Sequence, residues 1–297
     1  MAKVSDYLHL HFLVFLWGFT AILGVLISIP SVEMVFYRTL LAAIGLGVLI
    51  GFTKGTFHVT ARDFIKLILT GFIIGIHWIT FFASAKVSNV SVSLVGFATA
   101  SLWTAFLEPW SHRMKVKPLE IFLGVLVLIG LYIIFYFDFK YPMGLFLGVA
   151  SGLTAAIFSI INARIVKRID RYTITFYEMI GGCIATALFF PIYKIYLAEN
   201  GILQLNPTPM DWVYILILAL VCSVYAYSKM VSLLKTIPVF FIQLTINLEP
   251  VYGIIMAVIL FGQKEKMSIN FYVGTVIILS SVILYPVLKR RFARAGN

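Results

Sequence analysis

Charged residues are scarce in this sequence of 297 residues: Asp, Glu, Lys and Arg together make up only 12%. Soluble domains carry about 25%, and half of that share cannot hydrate the surface of a globule of this size. The composition therefore excludes a soluble enzyme, a disordered chain and a nucleic-acid-binding protein. Ten bilayer spans of about 20 residues each would use about two-thirds of the chain, so we predict a polytopic membrane protein.

Cysteine is also scarce, and several catalytic motifs are missing. The two cysteines, Cys183 and Cys222, lie in apolar runs, which argues against a structural disulfide or a zinc site. The sequence has no His-Glu-x-x-His, Gly-x-Ser-x-Gly or P-loop motif, the motifs of metalloproteases, serine hydrolases and nucleotide-binding proteins. We therefore expect no metal, no cofactor and no enzymatic activity, and an energy source other than ATP.

The sequence does contain a series of long apolar runs that are separated by polar, Pro or Gly clusters. This pattern predicts ten membrane-spanning helices, with the weakest separations at Pro30-Ser31 and at Lys86. The predicted helices are Leu8–Ile29, Val32–Phe52, Phe64–Ala85, Val87–Trp110, Leu119–Phe137, Pro142–Ile165, Tyr172–Leu197, Met210–Val231, Ile237–Phe261 and Ile269–Leu288.

The basic residues are distributed unevenly between the two sides of these helices. With the N-terminus inside, 17 of the 23 Lys and Arg residues fall on the inside, 5 fall on the outside, and Arg38 alone lies within the membrane. Because Lys and Arg resist translocation, this distribution predicts that both termini are cytoplasmic. It also explains the net charge of +11 without a phosphate-bearing partner.

The two halves of the chain resemble each other. Lys86, before the fourth predicted helix, corresponds to Lys235, before the ninth, at an offset of 149 that also pairs Trp78 with Tyr227. An offset of 140 pairs Phe36-Tyr37-Arg38 with Phe176-Tyr177-Glu178. Five helices per repeat would place the copies in opposite orientations, and such inverted repeats are typical of secondary transporters. We place the repeats at 1–139 and 140–290, followed by a basic cytoplasmic tail at 291–297.

A set of short motifs carries a family resemblance. The motifs are Leu16-Trp17-Gly18, Tyr37-Arg38, the lysines Lys86 and Lys235, Leu248-Glu249-Pro250-Val251, and Leu260-Phe261-Gly262-Gln263-Lys264. With these motifs the sequence resembles the EamA family of the drug/metabolite transporter superfamily, and is similar to its YddG-type amino-acid and metabolite exporters. Two departures are Gln263, where the family usually has Glu, and Ala100-Ser101 at the first-half counterpart of Glu249-Pro250.

The resemblance implies an all-α integral membrane fold with ten transmembrane helices in two inverted five-helix repeats. It also implies cytoplasmic termini and a central cavity lined by the first, third, fourth, sixth, eighth and ninth helices. Candidate substrate-binding residues on these helices are Trp17, His77, Trp78, Phe81, Trp103, Asn162, Tyr227, Gln243 and Asn247. Aromatic walls with a few amides suit an amphipathic metabolite, or a cation held by ring quadrupoles.

Further candidates, for coupling or gating, lie inside predicted helices, where ionisable residues are costly: Arg38, Glu178, Glu249 and Pro250. Pro250 lacks the N–H that would bond the carbonyl of Ile246. Gln243 and Asn247 share one face of the ninth predicted helix, and Glu249 lies on a nearly opposite face. We therefore expect only one of these two faces to line the cavity, and the spacing leaves open which one.

Two other residues allow a functional and a structural interpretation. His77 could couple transport to protons, or it could be a neutral imidazole bonded to a backbone carbonyl. Arg38 could bind a carboxylate or phosphate, or it could pair with Glu33 or cap carbonyl groups at the outer end of a neighbouring helix.

The predicted function is secondary transport of a small organic metabolite, an amino acid or a related amphipathic compound. We expect export by alternating access. The alternatives are an intramembrane lipid-modifying enzyme, and a channel or non-transporting receptor. The expected partners are a small-molecule substrate and the lipid bilayer, without nucleic acid, for a monomeric multi-pass protein of a bacterial inner membrane. The glycine ladders Gly144-Gly148-Gly152 and Gly71-Gly75 predict close helix contacts within the monomer.

Overall fold

A computed structural model describes residues 2–135, 141–252 and 269–295. The described residues form helices and connecting segments, and they contain no β-strand. The helices are α1 Val4–Trp17, α2 Thr20–Leu26, α3 Ser31–Phe52, α4 Ala61–Val87, α5 Val90–His112, α6 Pro118–Phe135, α7 Pro142–Ile165, α8 Arg171–Tyr196, a 3-10 turn Glu199–Gly201, α9 Pro209–Leu216, a π-helix Ile217–Tyr227, α10 Ser228–Leu233, α11 Val239–Ile246 and α12 Ile269–Ala295.

Eight helical regions within the described residues are long and apolar enough to cross a membrane. The other two predicted spans lie partly outside the described residues. Leu119–Phe137 corresponds to the shorter apolar helix α6, and Ile237–Phe261 begins with α11. The motif Leu260–Lys264 also lies outside the described residues. The predicted all-α membrane-spanning class is therefore confirmed.

The helix starts reproduce the repeat offsets. α3 begins at Ser31 and α8 begins at Arg171, which are 140 residues apart. α5 begins at Val90 and α11 begins at Val239, which are 149 residues apart. Equivalent helices therefore start at equivalent positions in the two halves, although the loop before Pro209 is longer than its counterpart.

The first predicted span, Leu8–Ile29, corresponds to one membrane-length region, Val4–Leu26, but its helix is interrupted. α1 ends at Trp17, and α2 begins at Thr20. The hydroxyl of Thr20 donates a 2.8 Å hydrogen bond to the carbonyl oxygen of Trp17. This bond satisfies a carbonyl that the break would otherwise leave without a partner.

The eighth predicted span, Met210–Val231, is a continuous helical region, but its helix type changes along its length. Between α9 and α10 it is a π-helix of 11 residues, Ile217–Tyr227. The hydroxyl of Ser223 donates a 2.9 Å bond to the carbonyl oxygen of Leu218, five residues earlier. Such windings are rare and occur mainly at functional sites, and hydrophobic periodicity did not predict this one.

In the ninth predicted span, Ile237–Phe261, the helix is interrupted just before Pro250, the residue for which we predicted a missing backbone hydrogen bond. α11 ends at Ile246, Asn247 and Leu248 form a turn, and helical structure resumes at Glu249. Because Pro250 has no N–H, the carbonyl of Ile246 loses its usual helical donor.

Glycines set the closest helix contacts. A Cβ at Gly71 of α4 would collide with the carbonyl oxygen of Glu178 and lie 2.8 Å from the Cα of Gly181, both in α8. A Cβ at Gly96 of α5 would lie 2.7 Å from the Cα of Gly148 in α7. The two predicted glycine ladders therefore make close contacts within this chain.

Candidate functional site

The three irregular segments surround one cavity inside the helix bundle. The cavity has a volume of about 70 Å³, whereas sites for small molecules usually have about 300–1,000 Å³. Irregular backbone at membrane depth is tolerated where it is buried in protein or lines a cavity. The lining residues are Trp17, Thr20, Arg38, His77, Trp78, Phe81, Phe82, Phe97, Ala155, Phe158, Ser159, Cys222, Tyr227, Met230, Gln243, Ile246 and Glu249.

Arg38 supplies the positive charge of the cavity wall. Its side chain is buried, and its Nε donates a 2.9 Å hydrogen bond to the hydroxyl of Ser223 in the π-helix. Its guanidinium carbon lies 3.8 Å from the centroid of the Trp78 ring, a cation–π contact. Within the described residues no ion pair joins Arg38 to a carboxylate, so the proposed pairing with Glu33 is not formed.

Glu178 supports the opposite part of the wall without lining it. The phenol of Tyr227 donates a 3.0 Å hydrogen bond to Oε2 of Glu178, and Nδ2 of Asn162 donates a 2.8 Å bond to the Tyr227 oxygen. The rings of Trp78 and Tyr227 lie edge to face with centroids 6.2 Å apart. Asn162 and Glu178 therefore orient Tyr227, which is the residue that reaches the cavity.

The contacts around the cavity involve residues that occupy equivalent positions in the two repeats. The offsets match Arg38 with Glu178 and Trp78 with Tyr227. In each half, an ionisable residue of one helix contacts the aromatic ring contributed by the next: Arg38 contacts Trp78, and Glu178 contacts Tyr227. The two rings touch at the centre, so the repeat symmetry is visible in the cavity wall itself.

The ninth region contributes residues from both of its predicted faces. Gln243 and Glu249 both line the cavity, so our expectation that only one face does so is wrong. The amide of Gln243 donates a 2.8 Å bond to the hydroxyl of Ser159 in α7. Asn247 points elsewhere, because its amide donates a 3.2 Å bond to Ser101 in α5. Ile246, three residues from each of Gln243 and Glu249, also lines the cavity.

His77 lines the cavity and is held by one residue of α7. Its Nδ1 lies 3.0 Å from the carbonyl oxygen and 2.8 Å from the hydroxyl of Ser151. The ring is buried between aromatic neighbours, including Phe97 and Phe158. This arrangement matches the interpretation in which a neutral imidazole bonds a backbone carbonyl.

Five of the candidate residues do not line the cavity: Trp103, Asn162, Asn247, Pro250 and Glu178. The indole nitrogen of Trp103 is buried and has no hydrogen-bond partner among residues 2–135, 141–252 and 269–295. Among the lining residues that we did not select, Ser159 and Thr20 are polar, and Ser159 lies one helical turn before Asn162. That spacing is a usable signal for Ser159, whereas Thr20 becomes visible only after the break in the first region is known.

Lys86 and Lys235, the lysines that the repeat pairs, have different environments. The ammonium of Lys86 donates to the carbonyl oxygens of Ile27 and Ile29 at 2.9 and 2.5 Å. Between them, the backbone N–H and the hydroxyl of Ser28 donate to the carboxylate of Asp211 in α9 at 2.7 and 2.5 Å. Lys86 and Asp211 thus hold the α2–α3 connection, whereas Lys235 is exposed.

The chain is similar to known proteins in both sequence and fold. The model of the EamA-like transporter family matches residues 7–136 and again residues 142–285. A solved structure described only as "Crystal structure of protein" has a TM-score of 0.74 and 13% sequence identity, with 97% of this chain and 100% of that chain covered. At this identity the likeness concerns the fold alone. No curated protein matches the chain.

Proposed function

The chain belongs to the EamA-like transporter family, and on this premise we propose that it is a secondary transporter for an amino acid or a related amphipathic metabolite. Members of the family transport small molecules across membranes, and the assignment favours transport over the enzyme alternative. We propose that the cargo binds in the cavity whose lining includes Trp17 and Glu249. We also propose that the direction of transport is export from the cytoplasm of a bacterial cell. A YddG-type specificity is part of this proposal.

One observation carries the choice of cargo: a guanidinium and a carboxylate line the same aromatic cavity. Arg38 and Glu249 are 3% and 5% exposed. A buried guanidinium binds a carboxylate more strongly than an exposed one does, and the carboxyl group of Glu249 can accept a hydrogen bond from an ammonium group. The rings of Trp78, Phe81 and Tyr227 supply apolar wall. A zwitterion with an apolar side chain complements all three features.

The small cavity supports an alternating-access mechanism. A volume of about 70 Å³ holds a few water molecules, so this conformation is contracted and the cavity must widen to admit a metabolite. The interrupted first and ninth regions supply places where the helices can bend, as broken helices do in other secondary transporters. The contacts of Lys86 and Asp211 would have to open on the side of the membrane that we propose to be external.

The experiment is exchange transport in proteoliposomes. We expect the purified chain to accelerate counterflow of at least one labelled amino acid from a panel of the twenty standard ones, above protein-free vesicles. Adding an opposing pH gradient to the same assay measures proton coupling. If the panel and a matched set of organic acids and amines show no flux above protein-free vesicles under any imposed gradient, the proposal is wrong.

A further inference from the structure

A second groove among the described residues lies outside the cargo cavity, between α4 and α5. Its volume is about 590 Å³. α4 and α5 meet near their connection at Ser88, where the hydroxyl of Ser93 donates to the carbonyl oxygen of Phe81 at 2.8 Å. Toward the start of α4 and the end of α5 the groove separates them, and α7 forms its floor. Its apolar lining is Leu69, Ile73, Leu107, Ile157, Ile160 and Ile161.

One end of this α4–α5 groove is basic. Lys66, Arg164 and Arg168 line it, together with Trp110, whose side chain is 79% exposed. Arg168 forms a two-pronged ion pair with Asp63, both N–O distances being 2.5 Å. Arg164 donates to the carbonyl oxygen and hydroxyl of Ser111 at 2.5 Å. Three cations therefore face a single carboxylate, which leaves an excess of two positive charges.

Lys66 is the cation available to a ligand. Its side chain is exposed, and its ammonium group makes no hydrogen bond and no ion pair within the described part of the chain, although its charge acts on the carboxylate of Asp63. Arg164 is bonded to Ser111 in α5, across the groove from Lys66, whereas Arg168 is bonded to Asp63 in α4, the helix that carries Lys66. A group that enters between Arg164 and Lys66 would meet charge from two helices, α7 and α4, rather than from one.

We propose that the α4–α5 groove is a binding site for an anionic phospholipid. The phosphate would lie between Lys66 and Arg164, and an acyl chain would follow the apolar lining toward Ile73. Basic pockets between transmembrane helices on the cytoplasmic side bind anionic headgroups in this way, and this end of α4 is cytoplasmic in the orientation that we propose. An exposed tryptophan at the headgroup level fits the same placement. The site is independent of the identity of the cargo.

The test is thermal unfolding of the full chain in detergent with added lipid. Dioleoyl phosphatidylglycerol should raise the melting temperature more than dioleoyl phosphatidylcholine does, and soluble glycerol 3-phosphate should not raise it. In the double variant Lys66→Gln/Arg164→Gln, the concentration of phosphatidylglycerol needed for half the shift should rise about thirtyfold, from the loss of two favourable charges. The Arg168–Asp63 pair remains in that variant.

The matched control is Arg62→Gln/Lys115→Gln, which removes two exposed cations near the same ends of α4 and α5 but outside the groove. This control variant should still be stabilised more by phosphatidylglycerol than by phosphatidylcholine, as the unmodified chain is. If the double groove variant does not fold, Lys66→Gln alone provides the measurement, because that side chain makes no bond within the described residues. Equal shifts with both lipids, an equal loss in groove and control variants, or a full shift with glycerol 3-phosphate alone would overturn the proposal.

Discussion

Replacing Arg38 with Gln should raise the half-saturating concentration of the cargo in proteoliposomes about thirtyfold or more. The guanidinium is buried in the cavity wall on the ring of Trp78, so it lies where a cargo carboxylate would be desolvated. Removing one partner of a buried, hydrogen-bonded charge pair costs about 2–5 kcal/mol. Counterflow of the amino acid identified by the panel measures this change directly.

Arg62→Gln is the control for this substitution. It also removes one positive charge, but from an exposed position at the start of α4, and it should leave the half-saturating concentration unchanged. Arg38→Lys keeps the charge but loses the planar fork that binds a carboxylate with two bonds, and we expect an intermediate loss. If folded Arg38→Gln had the same half-saturating concentration as the unmodified chain, the guanidinium of Arg38 would not bind the cargo.

Replacing Gly71 with Ala should lower the free energy of unfolding by about 1–3 kcal/mol, the usual cost of overpacking. The added methyl would meet backbone atoms of α8 on two sides, at Glu178 and at Gly181. Backbone cannot rotate away as a side chain can, so α4 and α8 would have to separate. The displacement would also move Glu178, which positions Tyr227 in the cavity wall.

Gly51 provides the matched control, because it is also helical and a Cβ there would meet no atom within 4 Å. Gly51→Ala should leave stability unchanged or raise it, since Ala is favoured over Gly in helices by about 0.5–1 kcal/mol. Denaturant titration in the same detergent compares the two variants. Equal changes in the free energy of unfolding for the two variants would contradict the prediction, because they would show that a methyl group at Gly71 is accommodated between α4 and α8.

Composition and repeat offsets predicted the parts of the fold that depend on many residues at once. The apolar runs placed most spans within a few residues, and the offsets of 140 and 149 paired Arg38 with Glu178 and Trp78 with Tyr227 before their contacts were known. The scarcity of intramembrane charge also selected Arg38 and Glu249, since a buried charge is too costly to be incidental. Both residues line the cavity.

The parts that failed depend on local backbone geometry. Gln243, Ile246 and Glu249 are spaced three residues apart and span about 120° of a helix surface, so assigning Gln243 and Glu249 to opposite faces overlooked the stripe that lines the cavity. The π-helix is invisible to a periodicity of 3.6, because a wider winding changes the side-chain angle without changing the apolar content. The similar sequences at Lys86 and Lys235 also conceal a difference, because among the described residues Lys86 donates to backbone carbonyls and no such bond is formed by Lys235.

The most direct measurement of the central claim, that cargo occupies this cavity, is protection of Cys222 from a small methanethiosulfonate. Cys222 lines the cavity and Cys183 does not, so the Cys183→Ser variant reports on the cavity alone. Cargo at ten times its dissociation constant should slow the labelling roughly elevenfold, because the free fraction falls as 1 + [L]/Kd rises, and an amino acid that is not transported should have no effect. Cargo that is transported but leaves the labelling rate of Cys222 unchanged would contradict the account.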